Sequence, residues 1–215
     1  KFLYPRQASS LYHTTKVLDT DLLWFYVRAY NLKVTDLMQG PVYGLFTDET
    51  EYSENFLPNF HYDDIFGTVV NRFIAQAVAG IPLTVYGEGG QTRGYLNLKD
   101  TLNCIDLSIL NPAAKGELRI MNQFTEQFTV NQIAEKVKKV SLLKGIDCKI
   151  KKIDNPRKEL EKHYYKAKHS ELIKLGLKPN LMTDEVLSEM IDKIMEKKEL
   201  INEKIAMPRV KWNKN

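Results

Sequence analysis

The sequence predicts an α/β fold in which helices connect parallel strands. Residues 9–30 carry apolar side chains at helical spacing without Gly or Pro, and an apolar strand at 32–40 follows at once. A helix that leads directly into an apolar strand is typical of a parallel sheet covered by helices. Helices and short strands continue to alternate along the chain, and no internal repeat is visible.

Local signals predict the elements that follow the first strand. Gly40-Pro41 marks its end, and the acidic loop at 44–64 is long enough to indicate a functional role. An amphipathic helix at 66–79 ends at Gly80. Thr129 with Gln132 forms a capping box, and Thr183 is an N-cap. The remaining elements are expected as strands at 83–87, 94–98, 118–122 and 148–153, and as helices at 99–110, from 129, at 168–176 and at 183–204.

Composition excludes several classes of protein. The chain has 215 residues with 43% hydrophobic content, enough for one large domain or two small ones. No apolar run approaches the ~20 residues that span a bilayer, so no membrane insertion is expected. Cys104, Cys148 and the histidines outside the first helix lack metal-ligand spacing, which predicts no metal site and favours a reducing cytoplasm.

Charge is distributed unevenly along the chain. Residues 1–132 contain 10 Lys and Arg against 14 Asp and Glu, whereas residues 133–215 contain 21 against 13. A basic segment can attract nucleic acid. Here basic residues alternate with acidic ones, as in KIMEKKELINEK, and no aromatic residues interleave them. This pattern indicates solvated helix faces, so no nucleic-acid partner is predicted.

Tyr12 and Lys16 in SSLYHTTKVLDTD are four residues apart, so they share one face of the first predicted helix. A free phenol has a pKa near ~10 and is a poor base at neutral pH, but a neighbouring ammonium favours the phenolate. The pair is therefore a candidate general base with its activating cation. Tyrosine and lysine at this spacing also occur by chance, so the neighbouring segments must decide.

Those segments resemble the extended short-chain dehydrogenase/reductase family, whose members modify nucleotide-linked sugars. The resemblance rests on the Tyr-x-x-x-Lys helix, the following strand with its Gly-Pro loop, residues 71–100 (NRFIAQAVAGIPLTVYGEGGQTRGYLNLKD) and residues 155–179. It implies the last part of a Rossmann-type parallel sheet plus a smaller mixed α/β domain for the substrate. It also implies NAD as cofactor, contacted by Tyr12, Lys16, Gln39 and Val42, with Gln39 reaching the sugar as well.

The same resemblance implies a UDP-sugar site. A diphosphate is best held by arginine forks, and Arg72, Arg93 and Arg157 all fall in the matching segments. The resemblance assigns Asn71 to phosphate, the strand containing Thr84 and Tyr86 to uracil, and Gln91 to ribose or phosphate. Glu159 or Glu161 is expected to hold ribose hydroxyls, although either also fits an exposed helix surface.

Three departures from the common family pattern are informative. Gly94 follows Arg93 where an Asp is usual, residues 42–56 are an acidic insertion, and residues 122–131 lack a glycine-rich turn. These features resemble a branch of the family that acts on UDP-glucose and sulfite. In that reading His13 binds sulfite or assists proton transfer, unless its role is structural. A UDP-sugar 4-epimerase, a 4,6-dehydratase and a non-catalytic sugar-nucleotide-binding module remain alternatives.

Parts of the family pattern are absent from these 215 residues. No glycine-rich phosphate loop occurs, and the family's Ser or Thr partner of the tyrosine would precede the first helix. We therefore expect a missing N-terminal half, in the same protein or in a companion chain, without which the chain is inactive. Residues 1–43 are assigned to the NAD-binding domain, with 98–122 returning to it, and 44–215 to the UDP-sugar-binding domain. The family resemblance also implies a homodimer.

Overall fold

The computed structural model describes residues 8, 11–155 and 167–208. The helices and strands alternate along this part of the chain, which confirms the predicted α/β class. The helices are α1 (Leu11–Tyr30), α2 (Val69–Ala79), α3 (Leu98–Leu110), α4 (Val130–Leu143), α5 (Glu171–Lys174), α6 (Asp184–Met195) and α7 (Glu203–Ala206). The strands are β1 (Val34–Gln39), β2 (Val42–Tyr43), β3 (Leu83–Tyr86), β4 (Thr92–Asn97), β5 (Leu118–Gln123), β6 (Glu126–Thr129) and β7 (Ile150–Ile153).

The strands of the described residues form three small sheets, in which parallel pairing dominates. Strand β1 pairs in parallel with β5, from Val34 opposite Leu118 to Gln39 opposite Gln123. Strand β3 pairs in parallel with β7, whereas β4 lies between parallel β2 and antiparallel β6. The carboxyl ends of β1 and β5 therefore meet at one edge, the usual place for a ligand in α/β sheets. The domain boundary at residue 43 stays a prediction.

The main core forms where α2, α4 and α6 pack against one another and against β3. Fully buried side chains on these helices include Phe73, Ile74, Ile133, Val137 and Leu187. The three helices begin at hydroxyl caps, and the capping box predicted at Thr129 and Gln132 is confirmed. Gly80 closes α2 at φ 76°, a conformation that favours glycine. This rigid block supports the strands that carry the site.

The prediction of one helix over 183–204 is wrong. Helix α6 ends at Met195, a short 3₁₀ helix covers Lys198–Leu200, and α7 begins at Glu203. The break brings Ala206 against α2, where its carbonyl accepts a 2.9 Å hydrogen bond from Gln76. Asn202 caps α7, and its backbone N–H donates to the Tyr62 hydroxyl at 2.9 Å. These tertiary contacts outweigh the helical propensity of the segment.

The acidic loop at 44–64 is anchored to the rest of the molecule at several points. Two short 3₁₀ helices, Glu49–Glu51 and Glu54–Phe56, lie within it. Asp48 pairs with Lys99 at 2.8 Å, and Glu54 pairs with Lys193 at 2.7 Å. The loop is therefore held in place beside the cleft described below.

Two further expectations concern metal and membrane. Within the described residues, no cluster of His, Cys, Asp and Glu could hold a metal ion, and no helix is long and apolar enough to cross a bilayer. Cys104 and Cys148 are free and buried, and burial raises the pKa of the Cys104 thiol to about 11.

A buried carboxylate joins the two halves of the described chain. Asp100, fully buried near the start of α3, accepts hydrogen bonds from the backbone N–H and the side-chain amide of Asn180, at 2.9 and 2.6 Å. Burial raises the pKa of Asp100 above its ordinary value, and the bonds from Asn180 oppose that effect only in part. The folded protein therefore binds this proton more tightly than the unfolded chain does.

This raised pKa predicts a pH effect on stability. Because the folded state holds the proton at higher pH, the contribution of Asp100 to stability falls as pH rises through the window above its ordinary value of 3.8. Relative to Asp100→Asn, the wild type should therefore gain stability as pH is lowered through that window. Urea denaturation of both proteins at several pH values measures the difference. A difference that does not change with pH would contradict the assignment.

Candidate active site

A cleft of about 1040 Å³ lies between α1, the end of β1, the acidic loop and the β3–β4 region. Its volume is at the upper limit of ordinary small-molecule pockets, which suits more than one ligand. Five residues assigned to catalysis and cofactor from the sequence line it: Tyr12, His13, Lys16, Gln39 and Val42. Four assigned to substrate line the same cleft: Arg72, Tyr86, Gln91 and Arg93.

Tyr12 and Lys16 lie one helical turn apart on α1. The Lys16 Nζ is 5.8 Å from the centroid of the Tyr12 ring, and 66% of Tyr12 is exposed. Lys16 also donates to Asp19 Oδ2 at 2.9 Å, and this hydrogen bond raises the pKa of Lys16, so the amine is cationic at neutral pH. The His13 ring meets that of Tyr12 edge-on, with centroids 5.4 Å apart. An accessible phenol thus lies beside a permanent positive charge.

The backbone of the turn after β1 lies very close to the backbone of β4. A Cβ on Gly40 would lie 2.3 Å from the Gly94 carbonyl oxygen, so only glycine fits there. The Gly40 N–H donates to the Gln123 carbonyl at 3.0 Å, which ties the turn to the end of β5. This packing places Gln39 and Val42 at the cleft beside the Tyr12 helix.

Arg72 and Tyr86 form a stacked wall of the cleft. The Arg72 guanidinium lies 4.1 Å from the centroid of the Tyr86 ring, and its Nη2 donates to the Thr84 carbonyl at 3.0 Å. The Tyr86 hydroxyl is 3.1 Å from Asp64 Oδ1 in the acidic loop. Arg72 is only 7% exposed, so this cation is held in a fixed position.

Gln91 is a buried amide of the cleft lining with an unused acceptor. It is 3% exposed, and its Nε2 lies 3.5 Å from the Tyr86 carbonyl. Its Oε1 is buried and has no hydrogen-bond partner within the described residues. Because a buried unsatisfied oxygen is costly, a ligand donor would satisfy it favourably.

Other residues assigned from the sequence lie elsewhere. The Asn71 amide donates to the His61 carbonyl at 3.0 Å and holds the acidic loop, away from the cleft lining. The Thr84 hydroxyl accepts from Gln76 at 2.7 Å in the buried core. The structure therefore does not bring these two side chains into the cleft. Arg157 and Glu159 lie outside the described residues.

Sequence reasoning missed several residues that line the cleft. Thr20 follows Lys16 by one helical turn and binds Asp36, Asp63 belongs to the acidic loop, Phe66 follows that loop, and Phe124 follows β5. An Asp within the apolar strand LKVTDLM was a visible signal for Asp36, because charge is rare in buried strands. Phe124 lies in the segment that departs from the family pattern, and its ring occupies the space a Cβ on Gly94 would need, at 2.5 Å. Gly94 and the segment 122–131, which both depart from the common family pattern, are thus in contact.

Comparison with known proteins identifies the family to which this fold belongs. A family model described as the NAD dependent epimerase/dehydratase family matches residues 3–122. The chain belongs to that family, which confirms the predicted resemblance.

Two curated relatives are similar over nearly the whole chain. A protein named UDP-sulfoquinovose synthase, chloroplastic, from Spinacia oleracea is 47% identical over 98% of this chain and 44% of its own length. A UDP-sulfoquinovose synthase from Sulfolobus acidocaldarius is 43% identical over 100% of this chain and 55% of its own length. The chain thus spans about half the length of these relatives.

Solved structures agree on the fold. The UDP-glucose 4-epimerase of Thermus thermophilus, in complex with NAD, matches 88% of this chain and 55% of its own with a TM-score of 0.65 and 22% identity. A UDP-glucuronic acid 4-epimerase from Bacillus cereus, in complex with NAD, matches 89% of this chain and 54% of its own with a TM-score of 0.67 and 20% identity. At this level of identity the likeness concerns the fold alone.

Proposed function

We propose that this chain is the part of a UDP-sulfoquinovose synthase that binds the sugar nucleotide, and that the complete protein makes UDP-sulfoquinovose from UDP-glucose and sulfite with NAD. The observation that carries the proposal is the 43–47% identity, over nearly the whole chain, to two proteins of that name. The cleft supports it, because the Tyr12–Lys16 pair and the residues assigned to a UDP-sugar line one cavity.

The residues present fit the nicotinamide part of NAD. The Lys16 ammonium and the Tyr12 phenol can bind ribose hydroxyls, Gln39 offers an amide, and Val42 offers an apolar contact. The cavity is large enough to admit a sugar beside them. When bound, NAD would supply reversible oxidation at C4 of the sugar.

The residues of this chain would handle protons and charge. Tyr12 Oη takes the proton of the 4-hydroxyl, and Lys16 holds positive charge beside that oxygen. A ketone at C4 makes the C5 proton acidic, so loss of that proton and of the C6 hydroxyl forms a double bond. Sulfite adds at C6 and a proton returns to C5. Return of the hydride first removed from C4, with the proton held by Tyr12, would restore the 4-hydroxyl. The net change then replaces the 6-hydroxyl by sulfonate and releases one water. His13, beside Tyr12, is the candidate for guiding sulfite or a proton.

Arg72 and Arg93 supply positive charge for the diphosphate in this proposal. Both line the cleft, and a guanidinium suits a phosphate group because its N–H donors form a planar fork. Arg157, Asn71, Thr84 and Glu159 keep the roles assigned from the family resemblance as proposals. The homodimer is also a proposal, supported by exposed apolar side chains on α1 such as Leu18, Leu22 and Phe25, and sedimentation of the complete protein tests it.

A cytoplasmic location is a further proposal. It is supported by Cys104 and Cys148, which are free thiols, the usual state in a reducing compartment. The name of the spinach relative includes a chloroplast location for that protein. Fractionation of the source cells would decide between the compartments.

Two alternatives make different products or none. A 4-epimerase would convert UDP-glucose to UDP-galactose without sulfite, and a 4,6-dehydratase would accumulate a 4-keto-6-deoxy sugar. The family match and the epimerase fold also fit those activities. A non-catalytic binding module would contain no NAD. Product analysis without sulfite, together with cofactor extraction from the purified complete protein, separates the three.

Gln91 gives a test of the UDP-sugar site that is independent of turnover. Changing Gln91→Met in the complete protein removes a buried acceptor that has no partner in the described chain. We expect unchanged or higher thermal stability, but UDP-glucose binding weaker by about 3- to 10-fold, as for one lost hydrogen bond. Thermal denaturation and isothermal calorimetry measure the two effects.

Gln76 is the matched control for that variant. It is equally buried, but its amide oxygen accepts from the Thr84 N–H and its Nε2 donates to the Ala206 carbonyl. Gln76→Met should therefore lower stability by about 1–3 kcal/mol. If Gln91→Met were the destabilising variant and left UDP-glucose binding intact, Gln91 would have no part in the site.

A further inference from the structure

Helix α1 is held to the rest of the described structure by few buried contacts. Of its 20 residues, only Thr20 and Val27 are buried. Thr20 is one helical turn after Lys16, whereas Val27 is about three turns away. Within the described residues, the position of Tyr12 and Lys16 over the cleft therefore depends largely on what Thr20 binds.

Thr20 binds a carboxylate on the neighbouring strand. Its hydroxyl, on a side chain that is 3% exposed, donates to Asp36 Oδ2 at 2.8 Å. The Lys16 carbonyl is a longer alternative acceptor, at 3.3 Å. The contact with Asp36 is the shorter of the two, so it dominates.

Asp36 connects this contact to the rest of the cleft. It lies in the middle of β1, three residues before Gln39, and β1 pairs with β5 along its whole length. The hydrogen bond thus joins the turn of α1 that carries Lys16 to the strand that leads to the Gln39–Gly40 turn. Lys16 itself pairs with Asp19 on its own helix, at 2.9 Å.

We propose that Thr20 and Asp36 are positioning residues, whose hydrogen bond fixes Tyr12 and Lys16 relative to Gln39 in the assembled active site. This inference rests on the proposed function for its kinetic consequences. Reacting groups must be held within fractions of an ångström, and a misplacement of about 1 Å can cost about 100-fold in rate. The pair acts on the rate through the geometry of the tyrosine and the lysine, without touching the sugar.

Three variants of the complete protein test the proposal. Thr20→Val keeps the shape but removes the donor, Thr20→Ser keeps the donor, and Asp36→Asn keeps an acceptor without the charge. Val27→Ala is the matched control, because it loosens the same helix far from Lys16. Measured quantities are kcat and KM for UDP-glucose, and backbone hydrogen exchange of residues 12–20 in the protein without substrate.

The expected results separate positioning from general stability. Thr20→Val should lower kcat by about 10- to 100-fold with KM changed less than about threefold, and should speed exchange at 12–20. Thr20→Ser should restore the wild-type kcat and the wild-type exchange rate at 12–20. Asp36→Asn should have an intermediate effect on kcat and on exchange. Val27→Ala should speed exchange near residue 27 with kcat within about threefold of wild type.

Two outcomes would overturn the proposal. One is unchanged exchange at 12–20 and unchanged kcat in Thr20→Val. The other is loss of activity in Asp36→Asn while Thr20→Val behaves as wild type, which would mean that Asp36 contacts a ligand directly. If the wild type fails to act on UDP-glucose at all, the proposed function fails, but the exchange measurements still decide whether the hydrogen bond positions Tyr12 and Lys16.

Discussion

Replacing Tyr12 with phenylalanine in the complete protein should lower kcat by about 10²- to 10⁴-fold while UDP-glucose affinity changes less than about threefold. In the proposed function the Tyr12 phenol takes the 4-hydroxyl proton, with the cationic Lys16 beside its ring. General acid–base catalysis contributes about that factor. Because the ring remains, its edge contact with His13 should persist. Steady-state kinetics and calorimetry with UDP-glucose measure the two quantities.

Tyr30 provides the matched control on the same helix. Its ring stacks on that of Tyr26 at 5.9 Å between centroids, it is 65% exposed, and it does not line the cleft. Tyr30→Phe should therefore leave kcat within about twofold of wild type. Equal activity of the Tyr12→Phe and Tyr30→Phe variants would remove Tyr12 from the chemistry, whatever the product of the enzyme.

The second large effect concerns Gly94, where the family usually has an Asp. A Cβ at this position would lie 2.5 Å from Cγ of Phe124, whose ring is 4% exposed and packs on His169 with centroids 4.5 Å apart. The backbone at Gly94 has no positive φ, so lack of space alone requires glycine. Gly94→Ala should lower stability by about 1–3 kcal/mol, the usual range for overpacking. Chemical denaturation of the complete protein measures it.

A double-mutant cycle tests whether the Phe124 ring is what excludes a side chain at position 94. Phe124→Ala alone is costly, because it empties a buried site. Combined with Gly94→Ala, however, the loss should be smaller than the sum of the single losses by about 1–3 kcal/mol. Gly40→Ala serves as the control, because its Cβ would meet the Gly94 carbonyl oxygen, which Phe124→Ala does not remove. Additive effects of Gly94→Ala and Phe124→Ala would mean that the ring is not what excludes a side chain.

Much of the fold could be predicted from local sequence, because local forces determine it. The cap at Thr129 depends on bonds within four residues, and the left-handed Gly80 ends α2 through its own φ angle. The alternation of the helix at 11–30 with the apolar strand after it was enough to predict the α/β class. Each of these features is stabilised by contacts between near neighbours in the sequence.

What could not be predicted depends on distant partners. The break after Met195 follows from contacts of Asn202 with Tyr62 and of Ala206 with Gln76, each more than 100 residues away in sequence. The short strand β6 forms because β4 offers it an antiparallel partner. Neither partner is visible in the segment itself, where helical propensity or an irregular turn is the natural prediction.

The candidate site likewise contains residues that the sequence could identify and residues that depend on distant partners. Tyr12, Lys16, Gln39 and Arg93 were identified from sequence segments, and the structure brings all four to one cleft. The sequence could not show which face of a strand points inward, so the Thr84 hydroxyl, assigned to the ligand, lies instead against Gln76 in the core. Asp36 was overlooked for a related reason, since its importance comes from Thr20 on another element.

The most direct test of the proposed function is incubation of the complete protein with UDP-glucose, NAD and radiolabelled sulfite. We expect label to enter a UDP-sugar that carries a sulfonate at C6, and we expect the Tyr12→Phe variant to abolish that incorporation while Tyr30→Phe retains it. Absence of label from the sugar nucleotide, with UDP-galactose or a 4-keto-6-deoxy sugar formed instead, would contradict the assignment and favour an epimerase or a dehydratase.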